Sequence, residues 1–268
     1  MLWKNRRASG NVIDRRGKGA PLGIAGLVLG AVVYALMGGN PVDYLAQNSG
    51  GLMQREEARP ANDEQKKFVS VVLADTEDVW NSILQDYQEP RLILFNHSVQ
   101  SACGRATSAV GPFYCPADQQ VYLDLGFFKQ LSQSLGAEGD FAVAYVIAHE
   151  VGHHVQNLLG IEKSFRDKQE WSGAREKNKL SVIMELQADC LAGVWAKQTD
   201  QAKKVIEEGD IAEAMNAAAA VGDDRLQKAS RGQVVPDSFT HGTSAQRVEA
   251  FKLGYQNGET QSCLNSYR

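Results

Sequence analysis

Cysteine is scarce in this chain: four residues in 268, none arranged as Cys-x-x-Cys, which excludes a cysteine zinc ribbon. Basic charge is not in excess either. Lys and Arg number 28 against 32 Asp and Glu, for a net charge of -4, so the electrostatic footprint of a nucleic-acid binder is missing and no nucleic-acid partner is expected. The absence of an internal repeat and of any long low-complexity tract argues against solenoids and against disorder throughout. What is present is ordinary globular composition, 43% apolar and 22% charged, over a length that suits a sizeable core.

An asymmetry lies beneath that average. Lys4, Arg6, Arg7, Arg15, Arg16 and Lys18 crowd the first twenty residues against the single acid Asp14. An uncharged apolar run follows from Pro21 to Gly39 (PLGIAGLVLGAVVYALMGG), about 28 Å long as a helix and close to the thickness of a hydrocarbon core. This reads as one transmembrane helix at 21–39, with a cleaved secretory signal as the alternative. Basic residues are retained on the cytoplasmic side, so residues 1–20 are expected there and the remainder on the exported side. Residues 40–62, with two prolines and few large apolar side chains, read as a flexible linker, and the folded domain is expected at 63–268.

Cys103, Cys115, Cys190 and Cys263 allow three connectivities. Cys103 and Cys115 bracket a short segment holding Gly104, Gly111 and Pro112, a natural loop to close, which leaves Cys190 with Cys263. Export would favour both disulfides; four buried thiols are the alternative.

Phe68, Val71, Val72, Val79, Trp80, Ile83, Leu84 and Tyr87 recur at helical spacing and predict a long helix, with a break near Asp75 and a stop at Pro90. Arg91 to Phe95 predicts a strand, and Phe113 to Asp124 two short strands about a Pro-Ala-Asp turn. Residues 127–135, 141–159, 180–198, 206–221 and 244–255 carry helical spacing, the last capped by Thr243 or Ser244. The expected class is α+β, mostly helical with a small sheet.

The chemistry is concentrated in residues 144–160, AYVIAHEVGHHVQNLLG. Residues four apart share a helix face, so His149 and His153 can point both imidazoles at one metal ion. Glu150, beside the first ligand, can take a proton from a water whose pKa zinc lowers. A structural zinc site has no need of that acid. The apolar residues before His149 suit a buried helix, and Gly152 leaves room for a neighbouring segment or a substrate. Catalytic zinc takes three protein ligands, and Glu185 in Glu-Leu-Gln-Ala-Asp-Cys is the third. Asp189, four residues on, can support a ligand histidine from behind. His154 points away from the ligand face, His97 stands alone in a loop, and both read as structural. His241 or Arg247, in and after Phe-Thr-His-Gly-Thr-Ser-Ala-Gln-Arg, can supply a donor to the oxyanion of peptide hydrolysis, or can be a helix-entry loop with a surface Arg. Asp223, Asp224 and Arg225 read as an ion-pair cluster or an acidic surface turn, with a structural role.

These residues resemble the YpfJ-type neutral zinc metallopeptidases, single-span bacterial membrane proteins. The resemblance runs through Ser101-Ala-Cys-Gly, Gly111-Pro-Phe-Tyr-Cys-Pro, the 144–156 segment, Glu185-Leu-Gln-Ala-Asp-Cys, Gly222-Asp-Asp-Arg and Thr240-His-Gly-Thr-Ser-Ala-Gln-Arg. It implies a zincin-like domain anchored in a bacterial inner membrane, with one zinc ion on His149, His153 and Glu185, Glu150 as base and Asp189 behind the ligands. Zincins bind substrate backbone on an edge strand, for which Val121 to Asp124 is the expected segment. The expected activity is hydrolysis of a peptide or protein substrate. The alternatives are a zinc-binding scaffold without turnover and an amidase acting on a non-peptide envelope amide.

Overall fold

The computed structural model describes residues 1–16 and 63–268, and the expected span at 21–39 and linker at 40–62 lie outside the described residues. The elements run β1 (Val12–Asp14), α1 (Glu64–Ile83), β2 (Arg91–Phe95), β3 (Ser98–Ser101), β4 (Gly104–Thr107), β5 (Phe113–Cys115), β6 (Gln120–Asp124) and α2 (Gly126–Gln133). They continue α3 (Asp140–Leu158), α4 (Ile161–Glu170), α5 (Ala174–Lys203), α6 (Asp210–Ala220), α7 (Asp223–Arg231), α8 (Ser244–Asn257) and α9 (Thr260–Ser266). The class is α+β and mostly helical.

Arg91–Phe95 is an almost unbroken apolar run because β2 is buried on both faces; it lies between β1 and β6, parallel to each. Leu92, Ile93 and Leu94 are wholly buried, each contributing about 1.5–3 kcal/mol relative to exposure. Sheet order is β1-β2-β6-β5, with β5 antiparallel to β6. Val121 to Asp124 is therefore an interior strand, and the expectation of an edge there is corrected: among the described strands the edges are β1 and β5. Periodicity cannot tell β5 from β6, since both pieces are short and β-prone.

α1 begins at Asp63, whose carboxylate accepts from the Lys66 backbone N–H. It runs unbroken through Asp75, against the break expected there. The buried Asp75 carboxylate accepts from Arg6 Nη2 at 2.5 Å and Lys203 Nζ at 2.7 Å, so it needs no helix end to reach a partner.

Arg6 and Arg7 find their acids on α1, in Asp75, Glu77 and Asp78. Arg7 Nη1 donates to Glu77 at 3.0 Å, Ser9 N to the Ser70 carbonyl at 2.8 Å, and β1 pairs Val12 to Asp14 with Leu92 to Leu94. Arg16 and Lys66 both pair with Asp14, and Arg16 also with Asp63. This overturns the anchored topology. A chain crossing a bilayer once between residues 16 and 63 would leave β1 and β2 on opposite faces, whereas here they share a ladder. No helix among the described residues is long and apolar enough to cross a membrane.

α5 is the central helix, packed against α3, α8 and α1. Its crossing with α8 is close because Gly193 and Gly254 face one another: a Cβ on Gly254 would lie 1.8 Å from the Cys190 carbonyl oxygen, and one on Gly193 2.1 Å from that of Phe251. The Cys190–Cys263 disulfide ties α5 to α9, and Cys103–Cys115 ties the turn between β3 and β4 to the end of β5. Both pairings agree with the sequence expectation. Closing a 73-residue separation restricts the unfolded chain by about 4 kcal/mol.

Candidate metal centre

α3 and α5 come together at Gly152, where a Cβ would sit 3.0 Å from the Ala188 carbonyl oxygen. The gap expected at this glycine is thus filled by a helix, and the approach brings Glu185 opposite one turn of α3. Ligand atoms of His149, His153 and Glu185 lie within 4.8 Å of one another. His149 Nε2 is 3.1 Å from Glu185 Oε2, and His153 Nε2 is 3.3 Å from Oε1.

The other ring nitrogens are already engaged. His149 Nδ1 donates to Asp189 Oδ1 at 2.8 Å, and His153 Nδ1 to Gln156 Oε1 at 2.8 Å. The Gln156 amide is oriented in turn, since its Nε2 donates to the Met184 carbonyl at 2.8 Å and to Gln187 Oε1 at 2.9 Å. Both Nε2 lone pairs are therefore left facing a carboxylate, an arrangement that calls for positive charge between them. Two imidazole nitrogens and one carboxylate oxygen are a donor set suited to zinc, and the residues fit that ion.

The electrostatics say the same. Burial works against a His149 imidazolium, but the Asp189 and Glu185 carboxylates outweigh it and push its pKa up to about 10. His153 is raised against burial by Glu185. Burial would raise Glu185, yet the two histidines hold it well below the usual carboxylate range.

Asp189 is wholly buried. Its Oδ2 accepts from Arg247 Nε at 2.8 Å, and its Oδ1 from Arg247 Nη2 at 3.0 Å and from the Tyr145 hydroxyl. Despite burial it stays ionised, because Arg247 and His149 lower its pKa. Arg247 is thus committed to Asp189 behind the ligands rather than standing as a surface Arg. Tyr145 and Gln156 escaped the sequence reading, although each sits one helical turn or less from a ligand histidine on α3 itself.

Glu150 lies on the cavity wall and is 7% exposed, with no hydrogen bond or ion pair to any described residue. Burial raises its pKa. The cavity, about 500 Å³, is also lined by the ligand residues, Phe113 and Tyr114 of β5, His241 and Arg247.

His241 is delivered by a loop that Asp223 grips. Asp223 Oδ2 accepts the backbone N–H groups of Thr240, His241 and Gly242, and Oδ1 lies 3.3 Å from His241 Nδ1. That carboxylate raises the His241 pKa, with burial opposing. Asp224 accepts from the Ser244 backbone and hydroxyl, and Thr243 caps α8 in a reciprocal pair with Gln246. His154 is structural: Nε2 donates to the Gln88 carbonyl at 2.5 Å, Nδ1 accepts from the Tyr114 hydroxyl at 3.0 Å, and burial lowers its pKa. His97 lies at the turn after β2, away from the cavity lining.

A sequence model of the family described as "Putative neutral zinc metallopeptidase" matches residues 1–267. The uncharacterized protein YpfJ of Escherichia coli is 47% identical over 98% of both chains. An uncharacterized protein of Mycobacterium tuberculosis is 44% identical over 69% of this chain and 65% of its own. No solved structure matches at a significant level.

Proposed function

The chain belongs to the putative neutral zinc metallopeptidase family, and from that premise we propose that it hydrolyses peptide bonds in the cavity beside His149, His153 and Glu185. One observation carries the reading: the Glu150 carboxylate opens onto the cavity beside the ligand histidines with no hydrogen-bonding or ion-pair partner among the described residues. A carboxylate on a largely buried residue, with its oxygens left unpaired towards the cavity, is free to meet a water there, and a scaffold that only holds metal has no use for it.

His149, His153 and Glu185 would hold zinc, which when bound supplies the Lewis acidity that polarises a carbonyl and makes water acidic near neutrality. Glu150 Oε takes the proton of the attacking water and passes it to the leaving amine. Its raised pKa suits both directions of transfer. Asp189, held by Arg247 and Tyr145, fixes the His149 ring, and Gln156 fixes His153. His241, kept towards its imidazolium by Asp223, donates to the carbonyl oxygen as that oxygen gains negative charge. This assigns the oxyanion donor to His241 and a positioning role to Arg247. The free edge of β5 takes the substrate backbone.

Replacing Glu150 with Gln should leave zinc stoichiometry at the parental value and reduce hydrolysis of a peptide substrate by about 10²-fold or more. Zinc content by mass spectrometry and a quenched-fluorescence peptide assay read the two arms. Parental turnover in that variant would sink the mechanism.

A further inference from the structure

The lining of the cavity includes apolar side chains contributed by three separate parts of the chain. Val146 lies on α3 one turn before His149, Phe127 and Leu135 come from α2 and the loop after it, and Val221 and Leu226 come from the end of α6 and from α7. The polar residue interleaved with them, Gln130, is neutral. Arg225 Nη2 donates to the Leu135 carbonyl and does not line the cavity.

Every charged or imidazole side chain that lines the cavity, namely His149, Glu150, His153, Glu185, His241 and Arg247, already has a role in the chemistry above. None is left to pair with a charged group on the substrate. A lysine, arginine, aspartate or glutamate side chain set against these apolar residues would lose its hydration without gaining a counter-ion from the lining. Leu226 is 37% exposed on that wall, and Val110, 63% exposed, stands at the β5 side of the same cavity. Both present apolar surface that an apolar occupant would cover.

We propose that the substrates are peptides carrying a large aliphatic or aromatic side chain next to the scissile bond, received by Phe127, Leu135, Val146, Val221 and Leu226. The proposal rests on the peptidase reading for the words "scissile bond", but the pocket's preference is readable without turnover. The full chain, loaded with zinc, is titrated by calorimetry with dipeptide hydroxamates that differ in one side chain: Leu, Phe, Asp or Lys.

The Leu and Phe compounds should bind at least about tenfold more tightly than the Asp and Lys compounds. Leu226→Arg should reduce that advantage by about tenfold and improve binding of the Asp compound, with zinc content unchanged. Val221→Asp should instead favour the Lys compound. Equal binding of the four compounds, or variants with the parental profile, would overturn the proposal. Product analysis of a mixed peptide digest separates it from the underlying reading. Cleavage with no side-chain preference would remove the pocket and leave the peptidase, whereas discriminating hydroxamate binding without any cleavage would remove the peptidase and leave the pocket.

Discussion

Asp189 sits behind a ligand rather than in the metal set, yet it gathers His149, Tyr145 and Arg247 about one buried carboxylate. Replacing it with Asn leaves size unchanged and removes the charge that keeps Nδ1 of His149 the donor. Zinc affinity should fall by about 10–100-fold, measured by competition with a chelator, and the melting temperature of the unliganded protein should fall as well, because buried Arg247 loses its counter-charge. An unchanged affinity would show that the His149 ring is held by packing alone. His154 provides a pH test. Its folded pKa lies below the ordinary value of about 6.5, so below that pH the unfolded chain takes up a proton that the folded chain resists. Stability from this group is complete above about 6.5 and declines as pH falls towards the depressed folded value. The slope of melting temperature against pH in that window should be shallower in His154→Gln than in the parent, and equal slopes would rule the group out. At this scale much was legible. His149, Glu150 and His153 lie within one helical turn, and Glu185 and Asp189 repeat the same spacing. Gln156 and Tyr145 were not singled out because Gln and Tyr on a helix signal nothing until the ring nitrogen or carboxylate they meet is known.

At the scale of elements, the site depends on two helix crossings rather than on any loop. Gly152 lets α3 approach α5, and Gly193 with Gly254 lets α8 approach it from the other side, which brings Arg247 to Asp189. Gly254→Ala should lower stability by about 1–3 kcal/mol through overpacking against the Cys190 carbonyl, as read from denaturant unfolding, despite alanine's better helix propensity. A neutral or stabilising result would mean that the crossing relaxes freely. Elements with an apolar stripe, α1, α3, α5 and α8, were legible from periodicity. α4 was not, because Phe165 is its one buried residue, and α7 buries only Asp223. Strand order was hidden as well: which of β5 and β6 lies outside depends on β2, eighteen residues and more upstream in the chain, choosing β6 as its partner.

For the whole molecule, the largest departure from the sequence reading is the first sixteen residues. Their basic run reads as a tail because the acids that pair with Arg6 and Arg7 are some seventy positions away, on α1. Charge patterning along a chain is blind to partners that only folding supplies. Once paired, the same arginines help pin a strand to the sheet that carries β5 at its far edge.

That pinning has a consequence for continuity. Arg16 and Asp63 form an ion pair, so the end of the first described segment and the start of the second meet at one spot. The first strand should therefore behave as a detachable piece. A synthetic peptide of residues 1–16 should bind a separately produced chain of residues 63–268 and restore its melting temperature, and joining the two through a short glycine-serine splice should do so without the concentration dependence. Fragments that fail to reassociate, together with a splice that fails to fold, would show that strand and domain require more than their shared ladder.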